Sequence, residues 1–178
     1  REYTVSNTVL IHKPSTLDLQ TFLRLYGGIY EHSAWIAEGA FAQKAGKNLD
    51  TVTGLHGAMK TTLSASDEGA NMKLICAHPD LAGKLAIKEE LTAESKSEQQ
   101  GAGLDRCTTD EFKEFQTLNS SYKAKFGFPF IIAVKGLDRH DILSGFRARI
   151  NNDRETEFNT AIQQINRIAH FRLCDLAE

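Results

Sequence analysis

Residues 109–127 read TDEFKEFQTLNSSYKAKFG, and this stretch carries the clearest fold signal in the chain. Apolar and aromatic side chains recur in it at the three- and four-residue spacing of one helical face. Gly127 stands where the left-handed residue that ends a helix belongs. We therefore predict a long amphipathic helix that begins at Thr109 and ends at Gly127. Its apolar stripe consists of Phe112, Phe115, Leu118 or Asn119, Tyr122 and Phe126.

Helical spacing also dominates the sequence on both sides of this helix, and only three prolines interrupt it. A capping-box-like pair, Ser15 and Asp18, predicts the start of a first helix that ends at Gly27. Ser33 predicts the cap of a second. Apolar spacing then predicts a third helix with Leu55, Met59 and Leu63, a fourth with Met72, Ile75 and Cys76, and a last one from about Arg154 with Phe158, Ile162, Ile165, Ala169 and Leu173.

One segment departs from the helical pattern. Residues 128–134 read FPFIIAV, which is the composition of a buried strand, but no convincing partner strand occurs elsewhere in the sequence. Its backbone amides are therefore expected to face helix ends, water or a ligand. With 178 residues, the chain is long enough for one domain and too short for two comfortable ones. We predict an all-α, single-domain multi-helix bundle over 1–178, with one extended segment near 128–134.

Composition and charge favour a small-molecule ligand. The chain has 21 basic and 23 acidic residues, so its net charge of -2 provides no field for nucleic acid or an anionic membrane. Its longest apolar stretches are far shorter than the roughly 20 residues that span a bilayer. The three cysteines form no C-x-x-C pair, which fits a reducing compartment and indicates neither a disulfide framework nor a zinc ribbon.

These features predict a cytoplasmic protein. The visible end, Asp175–Glu178, is not the Ser-Lys-Leu tail that would indicate a peroxisome in a eukaryote. The sequence begins at Arg1 without a methionine, so a lost targeting segment remains open.

Polar groups concentrate in two neighbouring stretches. His78 precedes Pro79, and a residue before proline is pushed toward extended geometry, so we expect His78 at a helix entrance. In the second stretch, Ser95, Glu98 and Gln99 share one helical face with Ala102. Each feature alone also fits a structural role, His78 at a helix end and Ser95 with Glu98 as a capping or solvated pair.

Arg172 borders the buried face of the last predicted helix. A buried charge without a partner is costly, so Arg172 needs a carboxylate, either from the protein or from a ligand. Asp175 and Glu178 at the helix end are the structural alternatives.

Several common chemistries find no support in the sequence. The remaining histidines lack the spacing of a metal site, although His78 and Asp80 together could bind a metal ion. Gly101-Ala-Gly103 lacks the third glycine of a dinucleotide fingerprint, since position 106 is arginine. The sequence contains neither a phosphate-binding loop nor a nucleophile elbow.

Four ordered motifs resemble the OHCU decarboxylase family, where OHCU is 2-oxo-4-hydroxy-4-carboxy-5-ureidoimidazoline, the last unstable intermediate between urate and allantoin. The resemblance extends from Leu17 to Leu176. The motifs are His78-Pro-Asp-Leu-Ala-Gly83, Leu91-Thr-x-x-Ser95-x-x-Glu98-Gln99-x-x-Ala102-Gly-Leu-Asp105, Phe126-Gly-Phe-Pro-Phe-Ile131 and Ile168-Ala-x-x-Arg172-Leu173.

The resemblance implies an all-α homodimer that uses no cofactor and no metal, and that decarboxylates OHCU to S-allantoin. It implies His78 as general acid/base, cooperating with Glu98 in proton transfer, and leaves open which of the two moves which proton. Substrate contacts would come from Pro79, Ser95, Gln99, Phe128, Phe130, Ile131 and Arg172.

Two other functions remain open from the sequence. One is a catalytically inactive helical module that binds a ureide or a protein partner. The other is a metal-dependent hydrolase that uses His78 and Asp80.

Overall fold

The computed structural model of the chain describes residues 8–83 and 91–178. Within these ranges the chain forms helices and no named β-strand, and two isolated bridges join Val9 to Thr51 and Leu10 to Ala177. The predicted all-α class is therefore confirmed. The α-helices are α1 (Leu19–Tyr26), α2 (Ala34–Phe41), α3 (Val52–Ser64), α4 (Glu68–Ala77), α5 (Ala93–Gly101), α6 (Thr109–Phe126), α7 (Arg139–Arg149) and α8 (Arg154–Cys174), and short 3-10 helices cover Pro14–Thr16 and Leu104–Arg106.

The contacts group the chain into two compact units. The first consists of Arg1–Leu74 together with Asn166–Glu178, and the second of Ile75–Ile165. Helix α8 therefore contributes its first part to the second unit and its last part to the first. The assignment of residues 1–178 to one domain stays a prediction.

Helix α6 has the ends that its sequence predicts. Thr108 caps it through a capping box with Glu111, because the Thr108 side chain accepts from the Glu111 N–H and the Glu111 side chain accepts from the Thr108 N–H. Gly127 follows the last turn with a left-handed φ of 81°. Both predicted ends of this helix are confirmed.

The predicted start of α1 needs a correction. Ser15 lies in the 3-10 helix Pro14–Thr16, and its N–H and hydroxyl both donate to the Asp50 carboxylate. Asp18 caps α1 alone, by accepting from the Thr21 N–H at 2.7 Å. Pro14 favours the tight turn that removes Ser15 from the helix. Ser33 does precede α2, but its hydroxyl donates to the Glu31 carbonyl and does not cap the helix.

The second unit has an aromatic core. The rings of Phe130 and Phe146 stack with centroids 3.9 Å apart, and Tyr122 meets both nearly edge-on. Phe126, Phe128 and Phe158 extend this cluster. The extended segment 128–134 thus supplies two core rings.

Side chains from two helices bond the backbone of this extended segment. Arg149 of α7 donates to the Ile131 carbonyl at 2.6 Å, and the Ala133 N–H donates to Gln164 of α8 at 2.9 Å. We had expected helix ends, water or a ligand at these positions. These side chains bond backbone N–H and C=O groups that a neighbouring strand would bond in a sheet. None of the helices in the described part of the chain is both long and apolar enough to cross a membrane.

Candidate functional site

His78 lies directly after the last residue of α4. The helix ends at Ala77, and the His78 N–H donates to the Ile75 carbonyl at 3.2 Å in a final tightened turn. Pro79 accounts for this end, because the residue before a proline avoids helical geometry. The structure thus places His78 at the exit of α4, whereas we had expected a helix entrance. The side chain is buried.

A pocket of about 300 Å³ lies beside His78. It brings together two of the sequence motifs, the one that begins at His78 and the one that contains Phe128. The remaining wall consists of Cys76, which is exposed, and Lys123. The lining residues are Cys76, His78, Asp80, Lys123, Gly127, Phe128 and Pro129.

The ion pair in the pocket wall joins Asp80 to Lys123. The Lys123 ammonium lies 2.7 Å from the Asp80 carboxylate, and both side chains are partly exposed. Such a pair adds little stability but fixes two opposite charges beside the imidazole. Because Lys123 occupies the Asp80 carboxylate, the hypothesis of a metal held by His78 and Asp80 loses support. In residues 8–83 and 91–178, no three His, Cys, Asp or Glu side chains are grouped so that they could hold a metal ion.

Helix α5 carries the predicted polar face. Ser95 and Gln99 are buried and Glu98 is half-buried. The cap of this helix is Thr92, whose hydroxyl accepts from the Ser95 N–H at 3.2 Å. Ser95 is therefore not the capping residue that the structural alternative assumed.

Gln99 bonds the loop that follows His78. Its Oε1 accepts from the Ala82 N–H at 3.1 Å, and its Nε2 donates to the Asp80 carbonyl at 3.3 Å. Each end of the amide retains one further hydrogen-bonding position, a second N–H at Nε2 and a second lone pair at Oε1. A substrate contact by Gln99 thus stays a prediction.

The predicted residues of the extended segment divide between the pocket and the core. All three predicted residues of the segment are buried, and of them only Phe128 also lines the pocket, whereas Phe130 and Ile131 do not. Phe130 packs between the Phe146 ring and the Arg149 guanidinium, which lies 4.3 Å from the ring centre. Substrate contacts by Phe130, Ile131, Pro79 and Ser95 stay predictions.

Arg172 pairs with a carboxylate that the sequence did not indicate. It is 5% exposed, and its Nη1 lies 2.9 Å from Oε2 of Glu31, which is 2% exposed. The same nitrogen donates to the Ile29 carbonyl at 3.3 Å. Glu31 was not among the carboxylates, Asp175 and Glu178, that the sequence suggested for this arginine. The convergence of Arg172 with His78 and Glu98 that the resemblance implies stays a prediction.

Several residues of this region escaped the sequence analysis. Gln116 and Asn119 of α6 donate to the carbonyls of Ala82 and Leu81 at 3.1 and 2.9 Å, and Lys123 holds Asp80. The only feature of the sequence that could have revealed them is Asn119, because a polar amide there interrupts the apolar stripe of α6.

Comparisons with known proteins agree with the sequence motifs. A family model described as OHCU decarboxylase matches residues 15–174. The uric acid degradation bifunctional protein PucL of Bacillus subtilis is 41% identical over 90% of this chain, which spans 31% of that relative. A 2-oxo-4-hydroxy-4-carboxy-5-ureidoimidazoline decarboxylase of Halalkalicoccus jeotgali is 38% identical over 89% of this chain and 86% of its own length. The crystal structure of an (S)-allantoin synthase aligns with a TM-score of 0.71 and 29% identity, covering 92% of this chain and 52% of that one.

Proposed function

The chain belongs to the OHCU decarboxylase family, whose members are carboxy-lyases of urate degradation, and from this premise we propose that it decarboxylates OHCU to S-allantoin. The observation that carries the proposal is the pocket in which His78 lies beside Phe128, Asp80 and Lys123. It joins two family motifs in one cavity of a size suited to a small ligand.

The chemistry needs little beyond positioned side chains, because the substrate provides its own electron sink. The carbon that loses CO2 also carries a hydroxyl and is bonded to the carbon of a C=N group. When the C–C bond to the carboxylate breaks, the electron pair forms a C=C bond and the former C=N nitrogen becomes protonated. The hydroxyl then loses its proton as the carbonyl forms, and the ureido-bearing carbon gains one. Facial control of this last proton transfer gives S-allantoin.

His78 is suited to these proton transfers. A histidine ordinarily titrates near pH 6.5, so it can both accept and deliver a proton close to neutrality. His78 is buried in the pocket wall, so its imidazole is largely shielded from bulk water. Glu98, half-buried on α5, is the second candidate for proton transfer or for binding ring N–H groups.

Two charged side chains bear on an anionic substrate, Lys123 in the pocket wall and Arg172 by the family resemblance. Lys123 lines the cavity, and its ammonium already faces the Asp80 carboxylate, so the substrate meets a neutralised pair and not an unpaired acid. Arg172 is the proposed partner of substrate carbonyl or carboxylate oxygens, as the family resemblance implies, because its planar fork suits such groups.

A stereochemical assay tests this function. OHCU prepared freshly from urate should give optically active allantoin faster than spontaneous decay does. His78→Asn should remove the acceleration and keep the helical circular dichroism spectrum. His140→Asn, at an exposed histidine of α7, is the matched control and should remain active. Racemic allantoin formed at the spontaneous rate by the wild-type protein would contradict the proposal. Binding of allantoin in a calorimeter would then favour the inactive ureide-binding module.

We further propose that the protein forms a homodimer in the cytoplasm. The family resemblance supports the dimer, and the three cysteines, none of which forms a disulfide, fit a reducing compartment. Light scattering that gives the mass of one chain, or fractionation that finds the protein outside the cytoplasm, would contradict these two proposals.

A further inference from the structure

The loop after His78 is held by side-chain amides from two helices. Three successive carbonyl groups, those of Asp80, Leu81 and Ala82, each accept a hydrogen bond from an amide nitrogen. The donors are Gln99 of α5 at 3.3 Å, Asn119 of α6 at 2.9 Å and Gln116 of α6 at 3.1 Å. A loop with three successive carbonyls bonded in this way has little freedom to change its path.

Ala82 shows why such bonds are needed. Its φ of 49° lies in the left-handed region, which is unfavourable for a residue with a Cβ atom. The Ala82 N–H donates to Gln99 and its carbonyl accepts from Gln116, so both of its backbone groups are bonded by side chains. Strained geometry of this kind persists where the surroundings determine it.

Residues on one face of α6 bond the loop, and one of them also lines the pocket. Gln116, Asn119 and Lys123 follow the i, i+3, i+7 spacing that places residues on one side of a helix. The first two bond the loop backbone, and Lys123 bonds the Asp80 side chain while lining the pocket. Because Asp80 is two residues from His78 and Pro79 restricts the chain between them, a fixed position at Asp80 restrains His78.

We propose that Gln116 and Asn119 are positioning residues for His78, which set its imidazole against the substrate by fixing the backbone of residues 80–82. This inference rests on the proposed decarboxylation. Neither residue needs to contact the substrate, and their effect passes through the loop.

Single substitutions measure this effect. Gln116→Ala and Asn119→Ala should each lower kcat by about 10- to 100-fold, because small displacements of a reacting group cost rate at this scale. KM should change little, since no substrate contact is removed. Ser120→Ala, at an exposed position of the same helix, is the control and should keep the wild-type kcat. Unchanged kcat in both amide variants, with an active wild-type protein, would overturn the inference.

A rescue experiment separates positioning from general damage to the fold. Glycine tolerates positive φ, so Ala82→Gly should restore much of the kcat lost in Gln116→Ala. Gln116 is only half-buried, so its variant remains informative if Asn119→Ala, at a buried site, fails to fold. A Gln116→Ala protein that folds and loses kcat, but gains nothing from glycine at 82, would contradict the role of Ala82.

An activity-independent measurement distinguishes failure of this inference from failure of the proposed function. The ring signals of His78 in a histidine-labelled protein, assigned by their loss in His78→Asn, should shift or broaden in Gln116→Ala and stay unchanged in Ser120→Ala. Signals unchanged in both variants would overturn the positioning role, whatever the protein catalyses. An inactive wild-type protein would overturn only the function.

Discussion

At the scale of single residues, His56 shows how packing changes a titration. Burial lowers its pKa to about 4, against the opposing effect of a hydrogen bond between its Nε2 and the Asn166 carbonyl at 2.8 Å. Nearby positive charge at His170 and Lys60 acts in the same direction as burial. The folded protein therefore prefers the neutral imidazole.

This preference predicts an acid-dependent loss of stability. An unfolded His56 binds a proton below about pH 6.5, whereas the folded one does so only near 4, so stability falls as the pH is lowered through this window. Between pH 7 and 4, the free energy of unfolding should therefore decrease less in His56→Gln than in the wild type. We expect the difference to be on the order of 1–2 kcal/mol, after allowance for the partial exposure of His56. Urea unfolding at both pH values measures it.

His12→Gln is the control for this prediction, because the His12 side chain is exposed. It should leave the pH dependence of the urea midpoint as in the wild type. Equal pH dependence in the His56 variant and the wild type would contradict the assignment to His56.

The sequence identified His78 as a candidate site residue, but it did not predict which side chains hold the loop beside it. A histidine before a proline is visible in the sequence, and the helix end that results follows from local geometry. The partners of Gln99 are not visible, because a buried amide can bond a substrate or a loop equally well. Only the fold shows that its two ends hold the backbone at Asp80 and Ala82.

At the scale of elements, the extended segment depends on a largely buried arginine. Arg149 bonds the Ile131 carbonyl and pairs with Glu157, at 2.9 Å, on side chains that are 14% and 0% exposed. Tyr122 donates to the same carboxylate at 2.6 Å, and burial together with this carboxylate raises the pKa of Tyr122, which keeps its proton in place. The ion pair between α7 and α8 thus orients the arginine that bonds the segment.

Replacing Arg149 should lower the free energy of unfolding much more than replacing Arg147, which lies two residues earlier. Arg149→Met leaves the Glu157 charge buried without its cation, which typically costs about 3–5 kcal/mol. Arg147→Met removes an exposed pair with Glu114, at 2.6 Å, where solvent screens the charges and the change should be far smaller. Urea unfolding of both variants checks the difference. Similar losses in the two would show that the Arg149 pair does not stabilise the segment.

The elements differ in how far the sequence determines them. Helix α6 has a capping box, a strict apolar spacing and a terminal glycine, and each of these signals acts within a few residues. The start of α1 was misread because Ser15 bonds Asp50, which is 35 positions away. Local capping rules cannot predict that the Asp50 carboxylate, far away in sequence, binds the Ser15 side chain.

At the scale of the molecule, the least predictable contact is the one between Glu31 and Arg172. The two residues are 141 positions apart, yet both are buried and their charged atoms lie 2.9 Å apart. The sequence indicated that Arg172 needs a carboxylate, because a buried charge requires one. It gave no means of choosing Glu31, since that choice depends on how the last turns of α8 pack against the segment between α1 and α2.

This pair permits a test that separates stability from substrate binding. Glu31→Met and Arg172→Met should each cost about 3–5 kcal/mol, because each removes one partner of a buried ion pair. The double variant should lose clearly less than the sum, since it removes both charges and keeps apolar volume. A double-mutant cycle in urea measures the coupling. Additive losses would show that the pair is not coupled.

The same double variant tests substrate binding. If it folds stably but still lacks stereoselective allantoin formation, Arg172 serves the substrate as well as the fold. Recovered activity would restrict the role of Arg172 to the fold.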